Sequence, residues 1–153
     1  MTLRLCIATE ADALCIGDIH MAAFATNGML HAQFPTPSSR EGLRDTVADK
    51  ATEDIRDPHT MVLIVKDTQV CNEVITYGKW SLPTSTSANE APWIWPEGIR
   101  LDLLEEWIGN VESVKDRVFK HQSCCRTSFL RVSPRVSDPE LGFVSKLVAG
   151  CSH

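Results

Sequence analysis

Residues 61–80 have the sequence MVLIVKDTQVCNEVITYGKW, in which two apolar runs flank a short polar segment. The first run, over residues 61–66, is almost continuously apolar, which is typical of a strand buried on both faces. The second run, over residues 70–80, is rich in residues that favour strands, and the intervening residues 67–69 supply a turn. We therefore expect a β-hairpin over this stretch.

The segments on either side of this hairpin show further strand and helix patterns. Residues 3–8 and 127–133 have the residue types of strands. Apolar side chains recur at helical spacing in four segments, which are residues 10–25, 38–57, 100–121 and 137–150. The resulting order is β-α-α-β-β-α-β-α. It predicts a single α/β (α+β) domain over residues 1–153, with a mixed, mostly antiparallel sheet flanked by helices.

Polar residues and prolines indicate where helices begin and where loops occur. Ser38 and Glu41 have the spacing of a capping box, which predicts the start of the second helix. Two prolines within residues 29–39 predict a loop there, because proline removes a donor and extends the residue before it. Residues 83–99 are rich in Pro, Ser and Thr and predict a surface loop, whose two tryptophans we expect to fold back onto the body.

Composition and charge narrow the class of partner. The 153 residues include 15 Lys and Arg against 20 Asp and Glu, which gives a net charge of −5. Binding to nucleic acid or to an anionic membrane surface needs clustered basic side chains, so we expect neither partner. The six cysteines form no zinc-type spacing, and no run of about 18 apolar residues occurs. We expect a cytoplasmic protein without a metal site whose partner is a small molecule.

Three segments of the chain resemble the GNAT superfamily of N-acetyltransferases, and in particular its divergent fungal branch. Residues 3–24, LRLCIATEADALCIGDIHMAAF, are similar to the first strand and helix of the family. Residues 70–83, VCNEVITYGKWSLP, are similar to one of its later strands. The sequences FLRVSP at residues 129–134 and GFVSKLV at residues 142–148 are similar to its cofactor-binding strand and helix.

This resemblance implies acetyl transfer from acetyl-CoA to a small molecule. In the family, a splayed strand offers backbone groups to the pantetheine arm, and the amides at a helix N-terminus face the pyrophosphate. The cofactor-binding residues that the resemblance implies here are Leu130, Arg131, Val132, Arg135, Gly142, Val144 and Ser145.

The chain departs from the family pattern at the phosphate-binding loop. The family has Gln/Arg-x-x-Gly-x-Gly/Ala, whereas residues 138–148, DPELGFVSKLV, lack Arg and Gln and carry two acidic residues that repel phosphate. We also expect the last strand and helix of the family to be missing or replaced. Three alternatives therefore stay open: an acetyltransferase, a GNAT-fold cyclase, isomerase or lyase of specialised metabolism that holds an apolar substrate without CoA, and an inactive binding protein. A shortened sheet also exposes an edge strand, which makes a homodimer a further expectation.

Four polar side chains are candidate catalytic groups. His20 lies on the apolar stripe of the first predicted helix and is either a hydrogen-bonded core imidazole or a base in a pocket. Tyr77 and Lys79 share one face of their predicted strand, where they either act on a substrate or pack against the next strand. Glu73, on the same strand, would act as a base if burial raised the pKa of its carboxyl group.

Apolar and aromatic side chains are candidate substrate contacts. Trp80 corresponds to a pocket residue of the family, so the resemblance implies that it lines the substrate site. His31 lies in the predicted loop over residues 29–39, which in the family covers the substrate, and the alternative is a solvent-exposed side chain. The predicted substrate-binding residues are Phe24, Met29, His31, Phe34, Trp80, Trp93 and Trp95.

Overall fold

The computed structural model describes residues 2–81, 93–119 and 126–132. Its strands are β1 (Leu3–Ile7), β2 (Thr60–Asp67), β3 (Glu73–Ser81) and β4 (Arg126–Val132). A 3-10 turn at Glu10–Asp12 precedes helix α1 (Ala13–Ala23), and the other helices are α2 (Gly28–Gln33), α3 (Pro37–Arg56) and α4 (Leu101–Phe119). The last predicted helix, over residues 137–150, lies outside the described residues, as do Arg135, Gly142, Val144 and Ser145.

The four strands form one sheet in the order β1-β2-β3-β4, and every neighbouring pair is antiparallel. Strands β2 and β3 are the hairpin predicted from residues 61–80, with Val62 opposite Lys79 and Ile64 opposite Tyr77. The predicted combination of helices with a mostly antiparallel sheet is confirmed. Among the described strands no pair is parallel, so this part of the sheet is not mixed.

Helices α1 and α3 pack against each other and against one face of the sheet, and the hydrophobic core lies between these layers. Ile16 on α1 and Ile64 on β2 are fully buried there. The two helices approach closely at Gly17, where a Cβ atom would lie only 2.7 Å from the carbonyl oxygen of Arg44. A larger side chain at Gly17 would therefore push α3 away from α1.

The predicted loop over residues 29–39 is wrong in its first half, which forms helix α2. The side chain of Asn27 accepts a hydrogen bond from the backbone N–H of Leu30 at 3.0 Å. This N-cap satisfies one of the donors that a short helix leaves unpaired. The prolines do not prevent this helix, because they lie beyond its end. The contact made by the Asn27 side chain stabilises its beginning.

Helix α3 begins one residue before the predicted position and uses a different capping box. Thr36 is the N-cap, and its hydroxyl accepts a hydrogen bond from the N–H of Ser39 at 3.0 Å. Pro37 occupies the first helical position, where its missing N–H and fixed φ angle are favourable. The predicted pair of Ser38 and Glu41 does not form the cap.

Strand β2 is not buried evenly on both faces, contrary to the prediction. Val62 and Ile64 are buried under the helices, whereas Met61 on the opposite face is 42% exposed. Leu5 and Ile7 of β1 lie on that same opposite face and are also exposed. In the part of the chain that the structure describes, helices α1 and α3 cover one face of the sheet.

Helix α4 confirms the helix predicted over residues 100–121, but most of its apolar stripe faces solvent. The helix contacts α2, and the backbone N–H of Arg100 donates to the carbonyl oxygen of Gln33 at 2.8 Å. Among the side chains that the structure describes on this helix, Leu104 is the buried apolar one. The exposed large apolar residues are Leu101, Trp107, Ile108, Val111, Val114 and Val118.

Candidate functional site

A small pocket lies between helices α1 and α3 and the helix-facing side of the β2–β3 hairpin. Its cavity has a volume of about 30 Å³, which is room for a few atoms of a ligand, since one water molecule needs about 10–15 Å³ on this measure. The polar lining residues are His20, Lys50, Asp54, Tyr77 and Lys79. The apolar lining residues are Ile16, Val47, Ala51, Val62 and Trp93.

His20 and Tyr77 form a buried pair in this pocket. Helix α1 carries the imidazole and strand β3 carries the phenol, and His20 Nδ1 lies 2.9 Å from the Tyr77 hydroxyl oxygen in a shared hydrogen bond. The Phe24 ring packs at a tilt against the imidazole, with ring centroids 4.8 Å apart. Because both groups can donate and accept a proton, the pair can take a proton from a group bound in the pocket.

Lys79 and Asp54 form a second buried pair, which joins strand β3 to helix α3. The Lys79 ammonium donates to both carboxylate oxygens of Asp54, at 2.9 and 2.8 Å. Lys50 Nζ lies 3.8 Å from the same carboxylate and donates to Glu53 at 3.1 Å. Buried charges need such partners, because an unpaired charge in this interior would lose its hydration without compensation.

The sheet is irregular where it borders this pocket. Lys79 pairs with Phe129 but Trp80 pairs with Thr127, so Ser128 is an extra residue in strand β4. A bulge of this kind bends its strand and takes backbone groups out of the regular ladder. The implied cofactor strand is part of β4, since Leu130, Arg131 and Val132 pair with Gly78, Tyr77 and Thr76 of β3.

The structure brings three of the four predicted catalytic residues together. His20, Tyr77 and Lys79 all line the pocket. Glu73 is exposed at the first residue of β3 and is not among the lining residues. Burial was the condition set for Glu73 as a base, and the exposed side chain does not meet it.

Among the predicted substrate contacts, the two tryptophans of residues 83–99 fold back onto the body, as expected. Trp93 lines the pocket and stacks on Trp95, with ring centroids 5.1 Å apart and an interplanar angle of 11°. Trp95 in turn meets the buried ring of Phe34 at 6.2 Å. These rings form one aromatic wall that continues from the pocket into the core.

Of the seven predicted substrate contacts, Trp93 is the one among the lining residues. Phe24, Phe34 and Trp95 pack next to lining residues or to each other, and the remaining three, Met29, His31 and Trp80, lie elsewhere. Met29 and His31 are exposed on α2, and the His31 Nε2–H donates to the carbonyl oxygen of Ala25 at 2.8 Å. Trp80 is partly buried, but strand alternation places it on the face opposite to Tyr77. The pocket as it stands therefore uses none of these three side chains.

Sequence reasoning missed the two charged residues that α3 contributes. Lys50 and Asp54 are four residues apart, and they adjoin the apolar stripe that includes Val47 and Ala51. The sequence feature that could have identified Lys50 and Asp54 is their position at the border of a buried stripe, because a charged side chain there needs a partner. The identity of that partner, Lys79, depends on a contact 25 residues along the chain.

The described segments contain no helix that could span a membrane and no group of three or more His, Cys, Asp or Glu side chains that could hold a metal ion. No family model and no curated protein sequence matches the chain.

Solved structures do resemble it. The C-terminal condensation domain of Ebony, in complex with beta-alanyl-dopamine, aligns with 98% of this chain and 67% of that one at 12% identity and a TM-score of 0.61. The aminoglycoside 6'-N-acetyltransferase AAC(6')-Ih from Acinetobacter baumannii aligns with 97% of this chain and 68% of its own, at 9% identity and a TM-score of 0.45. The histone acetyltransferase HPA2 and related acetyltransferase from Corynebacterium glutamicum aligns with 86% of this chain and 94% of its own, at 15% identity and a TM-score of 0.43.

At identities this low, the likeness concerns the fold alone. The chain has an α+β fold shared with the condensation domain, and acetyltransferases are among its structural neighbours. The predicted α+β combination of helices with a mostly antiparallel sheet is confirmed in this sense, and membership of the GNAT superfamily stays a prediction. Membership of the fungal branch likewise stays a prediction.

Proposed function

We propose that the chain transfers an acetyl group from acetyl-CoA to the amine of a small molecule bound in the pocket. The observation that carries this proposal is the buried hydrogen bond between His20 and Tyr77, which both line the cavity beside the irregular pairing of β3 with β4. The condensation domain with the same fold binds beta-alanyl-dopamine, whose name describes an acyl group joined to an amine. A fold by itself does not define an activity, so the residues of the pocket carry the proposal.

The proposed role of His20 and Tyr77 is to remove a proton from the acceptor. An amine attacks a carbonyl carbon only through its free lone pair, so its ammonium form must first be deprotonated. The Tyr77 hydroxyl takes this proton while it passes its own proton to Nδ1 of His20. The ammonium loses two protons in the complete reaction: one ends on the thiol that leaves, and the other reaches solvent through this pair.

Acetyl-CoA would supply an activated acyl group as a thioester. Strand β4 is suited to hold its pantetheine arm, because the extra residue Ser128 takes backbone groups out of the ladder beside the pocket. Leu130, Arg131 and Val132 belong to the same strand.

The Lys79–Asp54 pair has a positioning role in this proposal. It fixes strand β3 against helix α3 two residues from Tyr77, which keeps the phenol within hydrogen-bond reach of His20.

The small size of the cavity and the titratable groups in its lining favour acyl transfer over the alternative of a CoA-independent enzyme that encloses an apolar substrate. Five of the ten lining residues carry a charged or titratable group, and the cavity is small. Such a cavity suits the reactive end of an amine better than the hydrocarbon body of a cyclase substrate.

The test is acetyl transfer by the purified chain, followed by mass spectrometry of acetylated products from a panel of primary amines and amino acids. Tyr77→Phe keeps the ring and removes the hydroxyl, and we expect it to lower kcat by about 10²–10⁴-fold. His20→Gln should cause a similar loss, and the double variant should lose little more, because the two residues act as a unit.

His59→Gln is the matched control, since His59 is an exposed histidine outside the pocket lining and should keep full activity. Unchanged kcat in both Tyr77→Phe and His20→Gln would overturn the proposed mechanism. Absence of transfer to every acceptor, together with no binding of acetyl-CoA, would favour an inactive binding protein.

A further inference from the structure

The pocket holds more positive than negative charge among its described residues. Lys79 and Lys50 both line it, but Asp54 is the one carboxylate in the lining. Lys79 binds both oxygens of that carboxylate, so its charge is compensated. Lys50 lies farther from Asp54, at 3.8 Å, which is beyond hydrogen-bond distance.

Lys50 is a buried ammonium with a weak partner. Its side chain is 10% exposed, and the oxygen that accepts from it belongs to Glu53, whose side chain is 54% exposed. An exposed carboxylate stays largely hydrated, and such pairs contribute little to binding. An ammonium has three N–H donors, and the described protein atoms place one acceptor, on Glu53, within hydrogen-bond distance of Nζ. Lys50 can therefore bind an anion that enters the pocket.

The other groups in the pocket define where that anion sits on the substrate. Lys50 and the His20–Tyr77 pair line the same cavity of about 30 Å³, which accommodates a few atoms between them. A substrate amine that faces Tyr77 therefore has its anionic group only a few bonds away. Trp93 and Ile16 are among the apolar lining residues and offer a surface to a side chain.

We propose that the acceptor is an amino acid, with its carboxylate bound by Lys50 and its amine directed to Tyr77. This inference rests on the proposed acetyl transfer and names the substrate class of the same pocket. Lys50 is the specificity-determining residue, because it distinguishes an amino acid from the corresponding amine that lacks the carboxylate.

The test compares probes that differ by the carboxylate alone. Three pairs cover a range of side-chain sizes: alanine and ethylamine, leucine and 3-methylbutylamine, and phenylalanine and phenethylamine. Binding to the full chain is measured by calorimetric titration. We expect the amino acid of at least one pair to bind about tenfold more tightly than its amine, or better, because a charge-assisted hydrogen bond in a buried site forms only with the carboxylate.

Variants of one helix assign this preference to Lys50. Lys50→Met should abolish the tighter binding of the amino acid relative to its amine, and Lys50→Arg should keep most of this difference. Glu53→Gln should increase the difference in affinity a few-fold, because the Glu53 carboxylate no longer competes with the substrate carboxylate for the Lys50 ammonium. Arg44→Met is the matched control, since it removes the same charge from α3 at a residue outside the pocket lining, and the preference should persist.

Each outcome decides the inference. Equal affinity of amino acid and amine in all three pairs, a preference that survives Lys50→Met, or no binding of any amino acid would overturn it. Tyr77-dependent acetyl transfer that is equally fast to an amino acid and its amine would overturn the inference and leave the proposed function intact. Lys50-dependent binding of amino acids without acetyl transfer would support the inference about Lys50 and overturn the proposed function.

Discussion

Helices α3 and α4 have similar lengths and similar apolar spacing, but they lie in different surroundings. Helix α3 has 20 residues and α4 has 19. Leu43, Val47 and Ala51 on α3 are buried, whereas most of the apolar stripe of α4, over residues 107–118, is exposed. The comparison teaches that an apolar stripe predicts a helix reliably but does not tell which element, if any, will cover it.

The difference arises from what surrounds each helix. Helix α3 is enclosed on two sides: Gly17 of α1 approaches it, and a Cβ atom at Gly42 would lie 2.4 Å from Pro96. The Thr46 hydroxyl also donates to the carbonyl oxygen of Ile94 at 3.1 Å. Helix α4 contacts α2 near its beginning. The enclosed helix is also the one that contributes charged residues to the pocket.

The largest expected effect comes from breaking the buried ion pair of α3. Asp54→Leu leaves the Lys79 ammonium buried without its carboxylate and should lower the free energy of unfolding by about 3–5 kcal/mol. The double variant Asp54→Leu/Lys79→Met should recover most of this loss, because no uncompensated charge remains. Urea denaturation measures the free energy of unfolding of the single and the double variant.

On α4, Asp102→Asn removes an equally short ion pair, between Asp102 and Arg100, that is exposed. It should leave the denaturation midpoint unchanged within error, because solvent screens the pair. A similar loss in Asp102→Asn and Asp54→Leu would contradict the distinction between the two helices.

A smaller effect is expected from shortening one apolar side chain on each helix. Leu43 is 4% exposed, so Leu43→Ala should cost about 2–5 kcal/mol through lost burial and the cavity that remains. Val111 is 42% exposed, so Val111→Ala should change the free energy of unfolding by less than about 0.5 kcal/mol.

The comparison of Leu43→Ala with Val111→Ala is controlled by repeating the denaturation at several protein concentrations. If Val111→Ala proves as costly as Leu43→Ala, the stripe of α4 is covered in solution. A cost that grows with protein concentration would identify a second copy of the chain as the cover, which would support a homodimer.

The smallest expected effect concerns the Asp12 carboxylate, which precedes α1 and accepts a hydrogen bond from Lys66 of strand β2. Burial raises the pKa of the Asp12 carboxyl group, but the Lys66 ammonium and the Thr9 N–H and hydroxyl outweigh it and hold this pKa below its ordinary value. A lowered pKa in the folded state stabilises the fold above the unfolded-state pKa, about 3.9. That contribution is lost as the pH falls through the folded-state value.

Asp12→Asn should therefore make the denaturation midpoint less dependent on pH between about pH 4 and the onset of acid unfolding. The variant should be less stable than the parent chain at pH 6 and should approach it as the pH falls. A parent and variant whose difference stays constant over this range would show that the Asp12 carboxylate does not contribute in this way.

Local patterns accounted for much of the fold and for part of the site. The period of two along residues 70–80 placed Tyr77 and Lys79 on one face, and the period of the first helix placed His20 on its buried side. Helix α2 was not predicted, because its N-cap at Asn27 is a single contact in a segment dominated by prolines. The pair of Lys79 with Asp54 joins distant elements, so no local pattern contains it.

The positions of the main strands and helices, and the apolar face of each, follow from the amino-acid sequence alone. This information is local, since strand and helix periods depend on neighbours a few residues apart. Only the tertiary structure decided that α3 is enclosed while α4 is exposed, and that His20, Tyr77, Lys79, Asp54 and Lys50 share one pocket. The physical reason is that burial and charge pairing depend on contacts between distant segments, which form only when the helices pack on the sheet.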